Sequence, residues 1–98
     1  MSYTLKHVLK LIGAKVTFYR TLRGLKQQEL ADLVNMSRST VNKVERDSYN
    51  DNLSIDVLLV IANGLNVNIR MLLGISEEEE KLLREMALWE ESFDEFKL

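Results

Sequence analysis

The chain contains no cysteine, no proline and only four glycines among its 98 residues. Without cysteine, the chain can form no disulfide, thiolate metal site or thiol nucleophile, and this composition suits a cytoplasmic protein. No apolar run approaches the roughly 18 residues that a membrane span requires. Lysines and a histidine interrupt the apolar residues near the N-terminus, so we expect neither a transmembrane segment nor a signal peptide.

The sequence also has few residues suited to catalysis or metal binding. His7 is the only histidine, and no ligand partners stand at metal spacing from it, so we expect it at the surface or at a boundary. The run Glu77–Glu80 is interpreted as the first turn of a helix, where the helix dipole favours acidic side chains. With no glycine-rich phosphate loop and no paired carboxylates, an enzyme is the poorest candidate class, and no metal or other cofactor is expected.

The formal charge of −2 conceals two halves of opposite sign. Residues 1–50 hold nine Lys/Arg against four Asp/Glu, a net +5, whereas residues 51–98 hold four against eleven, a net −7. Such an asymmetry indicates a polyanionic partner for the first half. Two ordinary solvated faces would give the same totals, so charge alone leaves both interpretations open.

The apolar spacing predicts an all-α chain, because helix formers dominate and no useful alternating pattern occurs. The first helix starts at either Thr4 or Leu11 and ends near Arg23, with Gly24 as its C-terminal cap. Capping signals, glycines and apolar periodicity then predict further helices at residues 27–34, 37–46, 55–63 and 68–73, and one after Ser76. Gly64 is expected to end the helix at residues 55–63.

The second and third predicted helices are short and are joined by a tight corner at Asn35-Met36. Asn tolerates the left-handed backbone that such a corner needs. A helix pair of this kind is a DNA-binding unit, whose second helix enters the major groove with its N-terminal residues nearest the bases. Val41 and Val44 point inward. The outward face then carries hydrogen-bonding side chains suited to base edges: Arg38, Ser39, Asn42 and Lys43, with Thr40 at its margin.

Three stretches together resemble the Cro/C1-type helix-turn-helix family, also called the XRE family. They are residues 23–31 (RGLKQQELA), 36–41 (MSRSTV) and 44–46 (VER). The resemblance covers about residues 12–73. It implies a five-helix, lambda-repressor-like domain that binds double-stranded DNA, to which this chain adds a C-terminal amphipathic helix.

The resemblance also implies roles for particular residues. Arg38, Ser39 and Lys43 occupy the base-reading positions of the family. Arg20 and Glu45 match an Arg–Glu brace between the first and third helices, which fits the need of a charge near a small core for a partner; a free surface arginine is the alternative. The residues expected to contact phosphates are Gln27, Gln28, Ser37 and Arg46.

The sequence departs from the family pattern in the turns. Asn35 and Asp47 stand where the family often has Gly, and both residue types accept left-handed backbone. The loop from Asp47 to Leu53 is about two residues longer than usual and lacks the common proline. The family's loop contacts to the DNA backbone are therefore the least readily carried over.

Two apolar surfaces exceed what one small core needs. The first, Val57, Val60 and Ile61, is buried either by the last helix or by a second subunit, and we favour the subunit. The second is a stripe of apolar residues spaced four, three, four and three positions apart. Three roles are open for it: a coiled-coil seam, packing on its own domain or a partner's domain, or the lining of a ligand pocket. Its members are Leu82, Met86, Trp89, Phe93 and Phe96.

The sequence thus predicts a DNA-binding domain over residues 1–74 and a helix for packing or dimerisation over residues 75–98. The favoured function is a homodimeric transcriptional regulator, a repressor, that binds a pseudo-palindromic operator and no membrane. The alternative is an antitoxin-type module, whose C-terminal helix binds a toxin partner while the domain represses its own operon.

Overall fold

Six α-helices follow one another in the computed structural model, which describes residues 3–46 and 53–95, with side chains as far as residue 91. These residues contain no strand, which confirms the all-α expectation. Predictions for Asp47, for the loop through Asn52, and for the side chains of Phe93 and Phe96 fall outside this range. The helices are α1 (Leu5–Leu22), α2 (Gln27–Leu33), α3 (Arg38–Glu45), α4 (Ile55–Leu65), α5 (Ile69–Leu73) and α6 (Glu77–Glu95).

Turn residues end the helices largely where the sequence places them. Gly24 has a φ of 71° after α1, and Asn35 has a φ of 56° in the corner between α2 and α3. The first helix is continuous from Leu5, because Thr4 takes the extended N-cap conformation ahead of it. Residues 5–11 are therefore part of α1 and do not form a separate turn.

The predicted end of α4 at Gly64 is wrong. The helix continues to Leu65 and ends at Asn66, whose left-handed φ of 56° closes it. A Cβ at Gly64 would collide with Cγ1 of Val34. The glycine therefore serves the close approach of α4 to α2, not the helix end.

A single cluster of buried aliphatic side chains joins the first five helices, and the inward face of α4 packs into it. The prediction that Ile61 belongs to a subunit surface is wrong, since Ile61 is fully buried in this core. Val57 is half-buried against the same cluster, and only Val60 stays exposed. The cluster comprises Ile12, Val16, Leu30, Ala31, Val34, Val41, Val44, Leu58, Ile61, Ala62, Leu65 and Leu72.

The apolar character of α4 therefore reflects its central position in the fold. Within the described residues, no single helix is long and apolar enough to cross a membrane. Only α4 and residues 69–91, taken together, are long and apolar enough for a span, and these two parts are bent by 116° relative to each other.

The C-terminal end of α3 lies directly on α1. A Cβ added at Gly13 would stand 2.6 Å from the carbonyl oxygen of Val44 and 2.7 Å from that of Glu45. Such distances are too short for any side chain, so glycine allows the two backbones to touch. This contact fixes the height of α3 above α1.

An ion pair between Arg20 and Glu45 holds the same two helices, α1 and α3, in their lateral position. Nε of Arg20 lies 2.6 Å from one carboxylate oxygen of Glu45, and its Nη2 donates to the other at 3.0 Å. The remaining guanidinium nitrogen donates to the carbonyl oxygen of Leu25, and the Thr17 hydroxyl donates to Glu45 at 2.9 Å. The Glu45 side chain is only 4% exposed. The fork geometry of arginine therefore satisfies a buried carboxylate from two directions.

Helix α6 packs on α1 through a face that the sequence did not suggest. Leu83 and Ala87 are buried outside the main cluster, whereas Leu82 and Trp89 are 50% and 69% exposed. Of the predicted stripe, Leu82 and Trp89 therefore do not pack back onto their own domain. The alternative in which the last helix buries the extra apolar face of α4 is not met among the described residues, because the packing partner of α6 is α1.

Polar contacts at both ends hold α6 against α1. The ammonium of Lys15 pairs with Glu79 at 2.9 Å, and Nε2 of His7 lies 2.9 Å from Glu90. His7, expected at the surface or at a boundary, lies buried at the contact between α1 and α6, with only 5% of it exposed. The backbone N–H of Thr4 donates to Nδ1 of His7. The ring proton of His7 therefore sits on Nε2, which donates it to Glu90. Both ring nitrogens are thus satisfied, which permits burial.

Removing Arg20 should destabilise the fold strongly. In Arg20→Ala, Glu45 keeps a buried charge without its counter-ion, which costs about 3–5 kcal/mol in the free energy of unfolding. Urea denaturation measures this loss. Arg38→Ala is the matched control, because this exposed arginine should change stability by no more than about 0.5 kcal/mol. Equal, small losses in the two variants would contradict the structural role given to the pair.

Acid should weaken the contact between α1 and α6. The hydrogen bond from His7 holds the pKa of Glu90 below its ordinary value of 4.5. The Ser76 backbone hydrogen bond, followed by Lys15, lowers the pKa of Glu79 in the same way. A carboxyl with a lowered folded-state pKa stabilises the fold above its ordinary pKa. That contribution is lost as the pH falls through the folded value.

We therefore expect the double variant Glu79→Gln/Glu90→Gln to flatten the pH dependence of stability between about pH 5 and pH 3. The measurement is the free energy of urea unfolding at a series of pH values. Glu78→Gln, an exposed position on the same helix, removes the same kind of charge and should keep the wild-type slope. A double variant whose slope equals that of wild type would show that these carboxylates do not support the docking of α6.

Candidate nucleic-acid interface

The corner between α2 and α3 is built by local backbone chemistry. Asn35 turns the chain through the left-handed region, and the N–H of Met36 donates to the carbonyl of Ala31 at 2.9 Å. Ser37 then caps α3, accepting a hydrogen bond from the N–H of Thr40 at 3.0 Å. Burial of Val41 and Val44 fixes which face of α3 looks outward.

Three of the predicted base-reading residues project from that outward face. Arg38, Ser39 and Lys43 are exposed, and within the described part of the chain their side chains have no hydrogen-bond or ion-pair partner. Their donors are therefore available to another molecule. These side chains make no contact that the fold needs, which is typical of residues that recognise another molecule.

The other two predicted base-reading residues are partly engaged within the chain. Thr40 is half-buried, and its hydroxyl lies 2.8 Å from that of Ser37. Asn42 is half-buried too, and its carbonyl oxygen accepts from the amide of Gln27 at 3.3 Å. These two residues border the outward face, whereas the exposed three form it.

Gln27 links the two helices of the motif. Besides Asn42, its amide nitrogen reaches Glu45 at 3.2 Å, so one side chain of α2 contacts two of α3. Glu45 therefore receives hydrogen bonds from α1 and from α2 together. The predicted phosphate contact at Gln27 is compatible with this position, because Gln27 lines a shallow surface depression together with Arg20, Lys26, Gln28 and Arg38.

Lys26 is the residue of this surface that sequence reasoning missed. It is exposed at the start of α2, where its backbone N–H donates to Glu29. The signal was present, since Lys26 precedes Gln27 within the basic half of the chain. Of the remaining predicted phosphate residues, Gln28 is exposed and bonded to Asp32, Ser37 is the cap of α3, and Arg46 is exposed directly after α3 and engaged in an interaction of its own.

The electrostatics of α3 favour an anion. Its single carboxylate, Glu45, is buried and matched by Arg20, so the exposed charges of the helix are those of Arg38 and Lys43. The N-terminal end of α3, nearest Arg38, adds the partial positive charge of the helix dipole. Among the described residues, no three His, Cys, Asp or Glu side chains are grouped to hold a metal ion.

Comparison with known proteins agrees with this geometry. A helix-turn-helix family model matches residues 18–72, more than half of the chain. The immunity repressor protein of Bacillus phage phi105 is 35% identical over 74 residues, which are 76% of this chain and 47% of the repressor. The chain thus spans about half the length of that relative.

Two solved structures are also similar. The restriction-modification controller protein C.AhdI from Aeromonas hydrophila is 36% identical, with a TM-score of 0.60 over 65% of this chain and 94% of that one. The controller protein C.Esp1396I, solved as a tetramer with its natural 35 base-pair operator, is 26% identical, with a TM-score of 0.57 over 85% and 92% of the two chains. The chain therefore belongs to the helix-turn-helix family of Cro/C1 type and is a DNA-binding transcription regulator.

Proposed function

We propose that two copies of this chain bind a pseudo-palindromic operator in the cytoplasm and repress transcription there. The observation that carries the proposal is the set of exposed donors of Arg38, Ser39 and Lys43 on a helix whose other face is fixed by the core. A recognition helix held this firmly presents its side chains to the major groove without further ordering. Repression is supported by the similarity to the phage relative, which is an immunity repressor protein.

The three exposed residues have different tasks in this proposal. The guanidinium of Arg38 and the ammonium of Lys43 suit O6 and N7 of guanine in the major groove. The hydroxyl of Ser39 can donate to or accept from several base edges. Thr40, at the margin, can place its methyl group against that of a thymine, and Asn42 suits the N6 and N7 edge of adenine once Gln27 releases it.

Phosphate contacts come from the residues around this helix. Lys26, Gln27 and Gln28 line one depression beside the base-reading Arg38, next to the N-terminal end of α3. Ser37 and Arg46 stand at the two ends of α3, where the DNA backbone passes on either side of the groove. These contacts set the register of the protein on the duplex, and the base contacts set its sequence preference.

Two copies explain how so short a helix achieves useful specificity. A dimer reads two half-sites about 34 Å apart, one turn of the duplex, and so doubles the number of base contacts. The similar controller protein C.Esp1396I was solved as a tetramer on its operator, which supports assembly on DNA. No comparison supports the antitoxin-type alternative, since the relatives are named as a repressor and as controllers of restriction-modification.

Selection of bound fragments from random duplex DNA tests the proposal as a whole. We expect enrichment of a two-fold symmetric motif whose half-site centres lie about 10 base pairs apart. The selection should be run at moderate salt, where non-specific phosphate binding is weakened. Enrichment of no motif under these conditions would overturn the sequence-specific function.

Variants of α3 separate base contacts from phosphate contacts. Arg38→Ala and Lys43→Ala should each weaken binding to the selected operator by about 1–3 kcal/mol and affect a random duplex less. Lys26→Ala should weaken both duplexes alike and reduce the salt dependence by about one phosphate contact. Fluorescence anisotropy at several salt concentrations measures both effects.

Lys81→Ala is the matched control for these lysine changes, since it removes an exposed charge on α6, away from the motif. Its affinity for either duplex should equal that of wild type. Equal losses on operator and random duplex for Arg38→Ala and Lys43→Ala would show that both residues contact only phosphates.

A further inference from the structure

The outward face of α6 carries more apolar surface than a solvated helix needs. We call Leu82, Met86 and Trp89 the α6 stripe. Leu82 and Trp89 are 50% and 69% exposed, and Met86 is half-buried. The helix already uses Leu83 and Ala87 to pack on α1. Exposed apolar surface of this kind, with a tryptophan in it, is typical of an interaction site.

The two edges of the α6 stripe carry opposite charges. The groove along the stripe is lined by Lys10 from α1 and by Glu85 from α6, among others. At 100° per residue, Glu85 lies on the edge of α6 that faces away from Leu83 and therefore away from α1. Lys10 lies on the α1 edge, near the Glu90 carboxylate that pairs with His7. Glu90 also lines the groove on the α1 edge, but Lys6 and Lys10 both lie near it, so that border keeps a net positive charge opposite the acidic border at Glu85.

The spacing of the stripe is that of a coiled-coil seam. Leu82, Met86 and Trp89 stand four and three residues apart, and the sequence continues the pattern four residues later with Phe93. Two such seams can pair in parallel or antiparallel orientation. In a parallel pair, each edge meets the opposite edge of the partner helix, whereas in an antiparallel pair, each edge meets its own copy.

We propose that the α6 stripe is the surface through which two copies of this chain associate, with their α6 helices parallel. In that orientation the basic edge at Lys10 of one copy faces the acidic edge at Glu85 of the other, twice by symmetry. The surface is therefore complementary to itself, which singles out a second copy over an unrelated protein. This inference deepens the proposed function, on which the need for a dimer rests.

The seam is short, and an isolated coiled coil of fewer than three heptads is marginal. Here α6 is not isolated. Leu83, Ala87 and the pairs His7–Glu90 and Lys15–Glu79 order the helix against α1 within one chain. Association therefore does not have to offset the conformational entropy that is lost when the helix forms. Burial of the stripe then contributes directly to affinity.

Sedimentation equilibrium of the full chain without DNA tests the surface. We expect a monomer–dimer equilibrium that Leu82→Glu weakens at least about tenfold, because the variant places a charge in the seam. Two controls put the same charge on other exposed leucines, Leu33→Glu on α2 and Leu59→Glu on α4. Both should keep the wild-type dissociation constant. A wild-type chain that stays monomeric, or a dimer broken by Leu59→Glu and not by Leu82→Glu, would overturn the proposal.

A charge exchange between copies tests the orientation. Lys10→Glu and Glu85→Lys should each weaken self-association by about three- to tenfold, since like charges then meet at both edges. An equimolar mixture of the two variants should recover the wild-type affinity, because opposite charges meet again in the mixed dimer. No contact within a single chain can produce recovery on mixing.

The antiparallel orientation gives a different result and would overturn the proposal. There, both single variants would associate as weakly as wild type, and the mixture would associate more tightly than wild type. Failure of this inference is also distinguishable from failure of the proposed function. Enrichment of a symmetric operator by a chain whose dimer ignores Leu82→Glu would refute only the surface. Loss of all sequence preference with an intact α6 dimer would refute only the function.

Discussion

The buried carboxylate of Glu45 is the point on which the arrangement of the first three helices depends. It receives two hydrogen bonds from Arg20, one from Thr17 and one from Gln27, and so joins α1, α2 and α3 at one position. A charge with 4% of its side chain exposed tolerates no loss of these partners, because uncompensated burial is expensive. The direction in which α3 points is therefore set by electrostatics as well as by packing.

Helix α1 serves as the common support of the molecule. One part of it, at Gly13, carries the end of α3 at backbone contact distance. Other parts, at His7 and Lys15, carry α6. The surfaces that we propose for DNA contact and for dimerisation thus both rest on one helix. A change in the seating of α6 can reach α3 through α1, because Lys15, which holds α6, stands two residues from Gly13, which contacts the end of α3.

Sequence reasoning succeeded where local chemistry decides the outcome. The left-handed turns at Gly24 and Asn35, the cap at Ser37 and the inward positions of Val41 and Val44 depend on near neighbours in the chain. The contact between Arg20 and Glu45 lies 25 residues apart in sequence. It was predictable because the family resemblance implies this pair, and because a buried charge needs a partner of opposite sign.

The failures share one physical origin, since each depends on which helices meet in space. Gly64 was interpreted as a helix end, but its role is to let Val34 approach. Ile61 was placed at a subunit surface because α4 is apolar on most sides. In the structure, the packing of α4 against α1, α2 and α5 buries Ile61 within one chain. Periodicity found the apolar stripe of α6, yet the buried residues are Leu83 and Ala87, because a small alanine lets α6 approach α1. The partner of His7 stands 83 residues away and leaves no local signal.

The exposed state of Arg38, Ser39 and Lys43 has a consequence for how this regulator can change over time. These side chains have no partner within the described residues, so replacing them alters the stability of the fold little. The residues that seat α3 on α1 tolerate substitution poorly, because Gly13 lies against the backbone of α3 and the buried Glu45 depends on Arg20. In the proposed function, replacement of these three residues can therefore change the preferred operator while the scaffold stays folded, and a chain of this design is readily retargeted.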